Sequence, residues 1–201
     1  MPHTVQQLEL SLGPLSVAQT LVDDSTGRIV YAPGVVDRPT ADAWFAALHA
    51  AIDWHGERRP MYDRLVDVPR LMASFAPGAA WPAPLGEAKR VAEAFAGVAF
   101  TSVGLNLYRD GNDSVAMHND HLDELVEGSP VLLISLGSVR RMRIHSKAKP
   151  RTSFDVALEP GSVLLMAGAA QRNWEHGVPK TRAAVGPRIS LAFRQRPEPS
   201  R

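Results

Sequence analysis

The apolar residues between positions 40 and 97 recur with the three- and four-residue spacing of helices. One stripe comprises Trp44, Phe45, Leu48 and Ile52, and Thr40 stands where a helix N-cap is expected. A second helix is predicted from about residue 85 to 96, and Gly97 follows it as a C-terminal cap. The apolar face of this second helix contains Leu85, Ala88, Val91, Ala92 and Phe95.

Beyond residue 99 the pattern changes to short runs rich in β-branched and aromatic residues, separated by Gly, Pro and Asp. These runs predict strands at residues 100–108, 131–136, 142–145, 154–158, 162–166 and 189–194. The pattern favours a mainly β fold with flanking helices, in a single domain over residues 1–201. Within it we expect an N-terminal extension at 1–38, a helical region at 39–98, which the family resemblance given below also implies to be the substrate side, a strand-rich core at 99–196 and a tail at 197–201.

The polar residues with the clearest chemical meaning are His118 and Asp120, followed far downstream by His176. Two imidazoles and one carboxylate can occupy one face of a ferrous ion, which leaves three positions for a chelating co-substrate and O2. Arg188 and Arg194 lie further along the chain. A guanidinium is a planar, permanently charged partner for the carboxylate of a 2-oxoacid. The residues therefore indicate both an Fe(II) site and a 2-oxoacid co-substrate.

Seven motifs, spread over roughly residues 60 to 196, extend this pattern. They are Asp67-Val68-Pro69-Arg70, Asn106-Leu107-Tyr108-Arg109-Asp110-Gly111, His118-Asn119-Asp120, Glu127-Gly128-Ser129-Pro130, Leu158-Glu159-Pro160-Gly161-Ser162-Val163-Leu164-Leu165-Met166, Trp174-Glu175-His176-Gly177-Val178-Pro179 and Pro187-Arg188-Ile189-Ser190-Leu191-Ala192-Phe193-Arg194. With these motifs the chain resembles the AlkB-type 2-oxoglutarate- and Fe(II)-dependent dioxygenases. The resemblance implies a double-stranded β-helix, or jelly roll, as the core.

The resemblance also implies roles for individual residues. Iron would be bound by His118, Asp120 and His176, and Arg194 would brace the metal side of the site as a catalytic and cofactor-binding residue. The 2-oxoglutarate would be held by Asn106, Tyr108 and Arg188. Ser190 stands where the family usually has Asn, and its hydroxyl can still hydrogen-bond a carboxylate.

The implied activity is oxidation of a substrate C–H with 2-oxoglutarate and O2, which yields succinate and CO2. By resemblance the substrate is an N-alkylated base in DNA or RNA, flipped out or single-stranded. A hydroxylase of a small metabolite or a protein side chain is one alternative. A non-catalytic jelly-roll module, or one with a structural zinc and His121 or His145 as fourth ligand, is another. Arg188 argues against the zinc site, which has no use for it.

Substrate contacts are the part of the site on which the sequence departs from the family. Tyr62 and Phe75 fall on the substrate-binding side, and Trp174 could stack a flat substrate or pack in the core. Leu122 stands where repair-type relatives have an acidic residue, two positions after the metal aspartate. The connection at residues 76–80 is shorter than the hairpin that covers the nucleotide in those relatives. We therefore expect weak activity on methylated bases.

Composition and charge agree with one enzyme domain. The chain has 201 residues, of which 45% are hydrophobic and 21% are charged. Its formal net charge of +1 is too small to indicate a nucleic-acid partner by itself. Absence of cysteine excludes thiolate sites and suits a cytoplasmic protein, and no sequence run predicts a membrane span. We expect a monomer. A basic cluster, Arg140, Arg141, Arg143, Lys147, Lys149 and Arg151, either neutralises phosphates or protects a strand edge.

Overall fold

The computed structural model describes residues 17–61 and 64–197. Its helices are α1 (Arg38–Ala51), α2 (Ala83–Ala96) and α3 (Ala170–Asn173), and a 3-10 helix spans Leu122–Glu124. The strands are β1 (Gln19–Asp24), β2 (Gly27–Ala32), β3 (His55–Met61), β4 (Arg64–Phe75), β5 (Ser102–Tyr108), β6 (Val115–His118), β7 (Val131–Gly137), β8 (Arg140–Ser146), β9 (Ser153–Leu158), β10 (Val163–Ala167), β11 (Trp174–Val178) and β12 (Arg188–Arg194). No helix in this described part is long and apolar enough to cross a membrane.

Both predicted helices form, but only one of the two predicted capping residues is in the expected position. The N-cap of α1 is Asp37, whose carboxylate accepts a hydrogen bond from the Thr40 backbone N–H at 2.9 Å. Thr40 is therefore inside the first turn, and the prediction of Thr40 as the cap was wrong because the chain offers an earlier acceptor. Gly97 ends α2 in the left-handed conformation, with φ of 70°, as predicted.

The strands form two antiparallel sheets that face each other as a double-stranded β-helix, which confirms the predicted fold class. The larger sheet has the order β1-β2-β10-β7-β12-β5-β4-β3, and the smaller has the order β6-β11-β8-β9. In the larger sheet β12 lies between β7 and β5, with Arg188 opposite Gly137 and Tyr108. In the smaller sheet β11 lies between β6 and β8.

Strand β12 separates two hydrophobic clusters because its side chains alternate between the faces of the sheet. Ile189, Leu191 and Phe193 belong to the cluster that includes buried residues of α1 and α2. Ala192 belongs to the second cluster, which contains residues of both sheets. Arg188, Ser190 and Arg194 share the Ala192 face. The inner face of β12 therefore presents polar side chains toward the space between the sheets.

The segments predicted as an N-terminal extension and a substrate-side region contribute strands to both edges of the larger sheet. Strand β2 pairs with β10, with Val30 opposite Leu165, and β1 adds to the edge. Strand β4 pairs with β5, and β3 with β4. The strand signal of β1 was weak because most of its side chains are exposed and polar.

Arg140, from the basic cluster, has a structural role. Its side chain is buried, and it donates hydrogen bonds of 2.8–2.9 Å to the carbonyls of Asp110, Asp113 and Pro179. Its neighbour Arg141 is exposed and pairs with Asp155, as Arg143 does. In this cluster Arg140 is thus a buried clamp, meaning that it joins loops through their carbonyls, and Arg141 and Arg143 are partly neutralised surface charges. The cluster is therefore less suited to binding phosphates than the sequence suggested.

We predict that Arg140→Met lowers the free energy of unfolding by at least about 2 kcal/mol, because carbonyls in three places lose a buried donor. The matched control is Arg141→Met on the same strand. It should change the free energy of unfolding by less than about 1 kcal/mol, because the ion pair of Arg141 with Asp155 is exposed. Urea unfolding followed by circular dichroism measures both. Equal effects of the two substitutions would show that Arg140 is not the clamp.

Candidate active site

Pairing of β6 with β11 brings the two predicted histidine ligands together. His118 is the last residue of β6 and lies opposite His176 in the ladder, with ring centroids 4.5 Å apart. Asp120 follows two residues after the end of β6. One potential ligand atom from each of the three side chains can be chosen so that all lie within 4.8 Å of one another. The sheet register therefore creates a compact group of two imidazoles and one carboxylate.

Both imidazoles are suited to binding a cation. His118 Nδ1 is 2.9 Å from the Ala116 carbonyl, which must receive the proton of that nitrogen and so leaves the Nε2 lone pair available. Burial, followed by the proximity of His118, lowers the pKa of His176 to about 3, so its ring is neutral at physiological pH. A neutral imidazole is the form that coordinates a metal.

Asp120 is held in its ionised form by Arg194. Burial alone would raise the pKa of this carboxyl group, but the charge and hydrogen bonds of Arg194 outweigh burial and lower it. The two Arg194–Asp120 hydrogen bonds measure 2.8 and 3.0 Å and form a bidentate pair. Arg194 lies on β12, so the larger sheet stabilises a ligand that belongs to a loop of the smaller sheet.

Arg188 is a fully buried cation with unused hydrogen-bond donors. Its Nη2 donates to Ser135 Oγ at 2.9 Å, whereas Nε and Nη1 have no hydrogen-bond partner among the described residues. Its guanidinium carbon lies 5.3 Å from the centroid of the Tyr108 ring. Burial lowers its pKa to about 10, which still leaves it charged at neutral pH. A buried cation with free donors fits a carboxylate-bearing ligand such as 2-oxoglutarate.

The remaining predicted 2-oxoglutarate contacts lie beside Arg188. Ser190 is opposite Asn106, and Arg188 is opposite Tyr108, in the β12–β5 pair. Arg70 donates a 2.7 Å hydrogen bond to Asn106 Oδ1. That bond orients the amide so that its NH2 group stays available as a donor. Sequence reasoning placed Arg70 in a motif but gave it no role.

A cavity of about 960 Å³ is bordered by the histidine–aspartate group and by the neighbours of Arg188, although not by the fully buried Arg188 itself. Its lining includes Asn106, Tyr108, His118, Asp120, His176, Ser190 and Arg194. The cavity continues past Phe75 to the exposed residues Asp53 and His55, so it opens at the surface. Its inner end thus contains the histidine–aspartate group, and its outer end can admit a large substrate.

The structure assigns different positions to the four predicted substrate contacts. Phe75 lines the cavity, and Tyr62 falls outside the described residues. Leu122 is 41% exposed and lines a separate, smaller cavity. Trp174 is buried against Phe154, and its indole N–H donates to Thr26 Oγ1 at 3.0 Å. Neither Leu122 nor Trp174 lines the main cavity, and a contact of either residue with substrate stays a prediction.

Glu124 is the acidic side chain that lines the main cavity near Asp120. It forms a 2.6 Å ion pair with Arg196, which lines the same cavity. From the sequence, Glu124 is expected to be solvated or to anchor its loop, because the oxidation needs no general base. In the structure the 3-10 helix Leu122–Glu124 places Leu122 in the lining of the smaller cavity and Glu124 in the lining of the main one. The Asp123-Glu124 pair was the signal that could have identified this residue.

A tetrahedral zinc site lacks its fourth ligand. His145 pairs with Glu175 at 2.7 Å in the smaller sheet, and His121 lines the cavity without joining the group. Within residues 17–61 and 64–197, the metal-binding group consists of His118, Asp120 and His176 alone. Three ligands beside an open cavity are typical of catalytic metal sites.

Comparison with known proteins agrees with this geometry. The family model of the 2OG-Fe(II) oxygenase superfamily matches residues 72–194. The chain belongs to this superfamily. It is therefore a dioxygenase that uses Fe(II), 2-oxoglutarate and O2, and the group of two histidines and one aspartate that the superfamily chemistry requires is present.

Individual relatives confirm the AlkB-type resemblance. Alpha-ketoglutarate-dependent dioxygenase alkB homolog 3 of Bos taurus is 29% identical over 206 residues, which cover 92% of this chain and 69% of that protein. DNA oxidative demethylase ALKBH2 of Mus musculus is 34% identical over 106 residues, covering 49% of this chain and 44% of that protein. The solved structure of OsALKBH1 covers 89% of this chain and all of its own, with a TM-score of 0.62 and 14% identity. That last likeness concerns the fold.

Proposed function

We propose that this dioxygenase removes N-linked alkyl groups from bases of DNA or RNA. The observation that carries the proposal is one open cavity that contains the histidine–aspartate group and Arg194 at its inner end and reaches solvent at its outer end. The relatives named as DNA oxidative demethylase and as alkB homolog 3 support the choice of substrate. We further propose that the chain acts as one monomeric, cytoplasmic domain.

His118, Asp120 and His176 would hold the iron. With 2-oxoglutarate and O2, the iron supplies the oxidation: one oxygen atom enters succinate as CO2 is released, and the other hydroxylates a substrate C–H. When that carbon is an N-methyl group, the hydroxylated product is a hemiaminal, which collapses to formaldehyde and the free amine. The protein has to keep the His176 imidazole neutral and the Asp120 carboxylate ionised, and the lowered pKa of each group has that effect.

Arg188 would bind the distal carboxylate of 2-oxoglutarate. Its two unused donors need an anionic acceptor, and the hydroxyl of Ser190 and the amide of Asn106 lie on the neighbouring strand positions. Tyr108 sits between the guanidinium groups of Arg188 and Arg140, whose carbon atoms lie 5.3 and 5.6 Å from its ring centroid. These contacts fix the phenol at the wall of the cavity.

Glu124 would contact the substrate base. An N1-methyladenine or N3-methylcytosine is cationic and carries an exocyclic amine, and a carboxylate can balance that charge and accept that hydrogen bond. Glu124 lines the cavity next to Arg196, which can bind a phosphate or keep the carboxylate in place. A small closed pocket would favour a metabolite hydroxylase instead, but this cavity reaches exposed residues. A polymer with one extruded base fits it better.

Substitution of a metal-binding residue should stop 2-oxoglutarate turnover. We expect His118→Ala, Asp120→Ala and His176→Ala each to abolish succinate formation from 2-oxoglutarate in the presence of Fe(II) and O2, since each removes one of three protein ligands. Succinate measured by mass spectrometry is the readout, and His145→Ala is the control that should stay active. Full turnover by any of the three variants would remove that residue from the iron site.

The two arginines should differ in how they affect 2-oxoglutarate. Arg188→Lys should weaken its binding by roughly 1.5 to 3 kcal/mol, because lysine cannot make two parallel hydrogen bonds to one carboxylate. Arg194→Lys should affect it less, since Arg194 bonds to Asp120. Calorimetric titration of 2-oxoglutarate into the Mn(II)-loaded proteins compares them. An unchanged affinity in Arg188→Lys would assign the carboxylate to another residue.

The position of Glu124 replaces the sequence-based expectation about Leu122. Glu124→Gln should raise the KM for a single-stranded oligonucleotide with N1-methyladenine about tenfold or more, the cost of one charged contact. Asp123→Asn, an exposed neighbour, is the matched control, and Leu122→Asp should give no gain. Formaldehyde release is measured for all. If no protein released formaldehyde while succinate still formed, the substrate would not be a methylated base.

A further inference from the structure

Gln171 is a buried polar residue with a direct contact to the metal-binding group. It is 3% exposed, and its Oε1 accepts a hydrogen bond of 2.9 Å from the backbone N–H of Asp120. Gln171 lies in α3, a single turn of helix that leads directly into β11. Strand β11 carries His176, so the segment that holds one ligand also contacts the backbone of another.

The orientation of the Gln171 amide follows from its two neighbours. The Asp120 N–H is a donor, so only the amide oxygen can meet it. The amide nitrogen then points to Met166 Sδ at 3.6 Å, a weak sulfur acceptor on β10. Both ends of the amide are thus used, and both contacts are buried. The side chain has one orientation in which neither contact is lost.

Asp120 needs such support because it lies beyond the end of β6, where the sheet ladder no longer holds the chain. Arg194 pulls its carboxylate toward β12. A loop held at its side chain alone could still rotate about that contact. Gln171 fixes the main chain of the same residue from another element. The two contacts together determine the direction in which the Asp120 carboxylate points.

We infer that Gln171 is a positioning residue that holds Asp120 in metal-binding geometry and couples it to the segment bearing His176. The inference rests on the proposed iron-binding role of these residues. A second cavity of about 330 Å³ borders Gln171, Leu122 and Leu125. Loss of the Gln171 acceptor gives the buried Asp120 N–H no partner and leaves the loop room to move into this cavity. The carboxylate then loses its alignment with the two imidazoles.

The test compares variants that keep or remove the acceptor. Gln171→Met removes the acceptor oxygen, and Gln171→Asn withdraws it because the side chain is one methylene shorter. Gln171→Glu keeps an oxygen at the same place. The matched control is Asn173→Leu in the same helix, which loses hydrogen bonds to the carbonyls of Thr26 and Ala169 but does not contact Asp120. Co(II) titration of each apoprotein gives a Kd and a visible spectrum, and Tm is measured without metal.

We expect the two acceptor-free variants to bind Co(II) roughly ten to a hundred times more weakly, with an altered visible spectrum. Gln171→Glu should bind as tightly as the wild type or more tightly. Asn173→Leu should lower Tm and leave the Kd unchanged. The inference would be overturned if both acceptor-free variants bound Co(II) as tightly as the wild type. It would also be overturned if Asn173→Leu or Gln171→Glu bound Co(II) as weakly as the acceptor-free variants do. If the wild type bound no Co(II), the result would contradict the proposed iron site itself rather than the role of Gln171.

Discussion

The arrangement of the site depends on one buried ion pair, between Asp120 and Arg194. Burial raises the pKa of the Asp120 carboxyl group, and a cation beside it is needed to lower that pKa below its usual value. Arg194 is that cation, and it comes from the larger sheet, whereas Asp120 follows a strand of the smaller one. The pair therefore joins the two sheets at the point where the ligands meet. Its geometry requires the register of β12 and the end of β6 to be correct together.

Strand β12 supplies the polar face that makes this possible. Its alternation places Ile189, Leu191 and Phe193 against the helical layer, and the charged and hydroxyl side chains between the sheets. A one-residue slip would exchange the faces, bury apolar residues in the site and push two guanidinium groups into the hydrophobic core. The hydrophobic packing of α1 and α2 on the sheet thus also fixes the register on which Arg188 and Arg194 depend.

The residues at the inner end of the site could be proposed from their motifs, although the strands β6 and β11 that carry His118 and His176 were not predicted. His118 and His176 are ladder partners, and Arg188 and Arg194 lie on one strand face, so residue spacing translates directly into geometry. Strand β1 escaped prediction because an exposed edge strand has little hydrophobic periodicity. Arg140 was grouped with surface charges, since nothing in a local run of arginines shows that one of them is buried against three loop carbonyls.

Loops determine the outer end, and there the spacing of residues is a poor guide to direction. After Asp120 a single 3-10 turn places Leu122 beside the smaller cavity and Glu124 beside the main one, so the side chain suited to a cationic base is the acidic one. The residues at the two ends of the connection between β4 and α2, Phe75 and Pro82, both line the cavity. The arrangement of the metal-binding residues follows from the sheet register, whereas the proposed selection of a base would depend on this loop and on its Glu124–Arg196 pair.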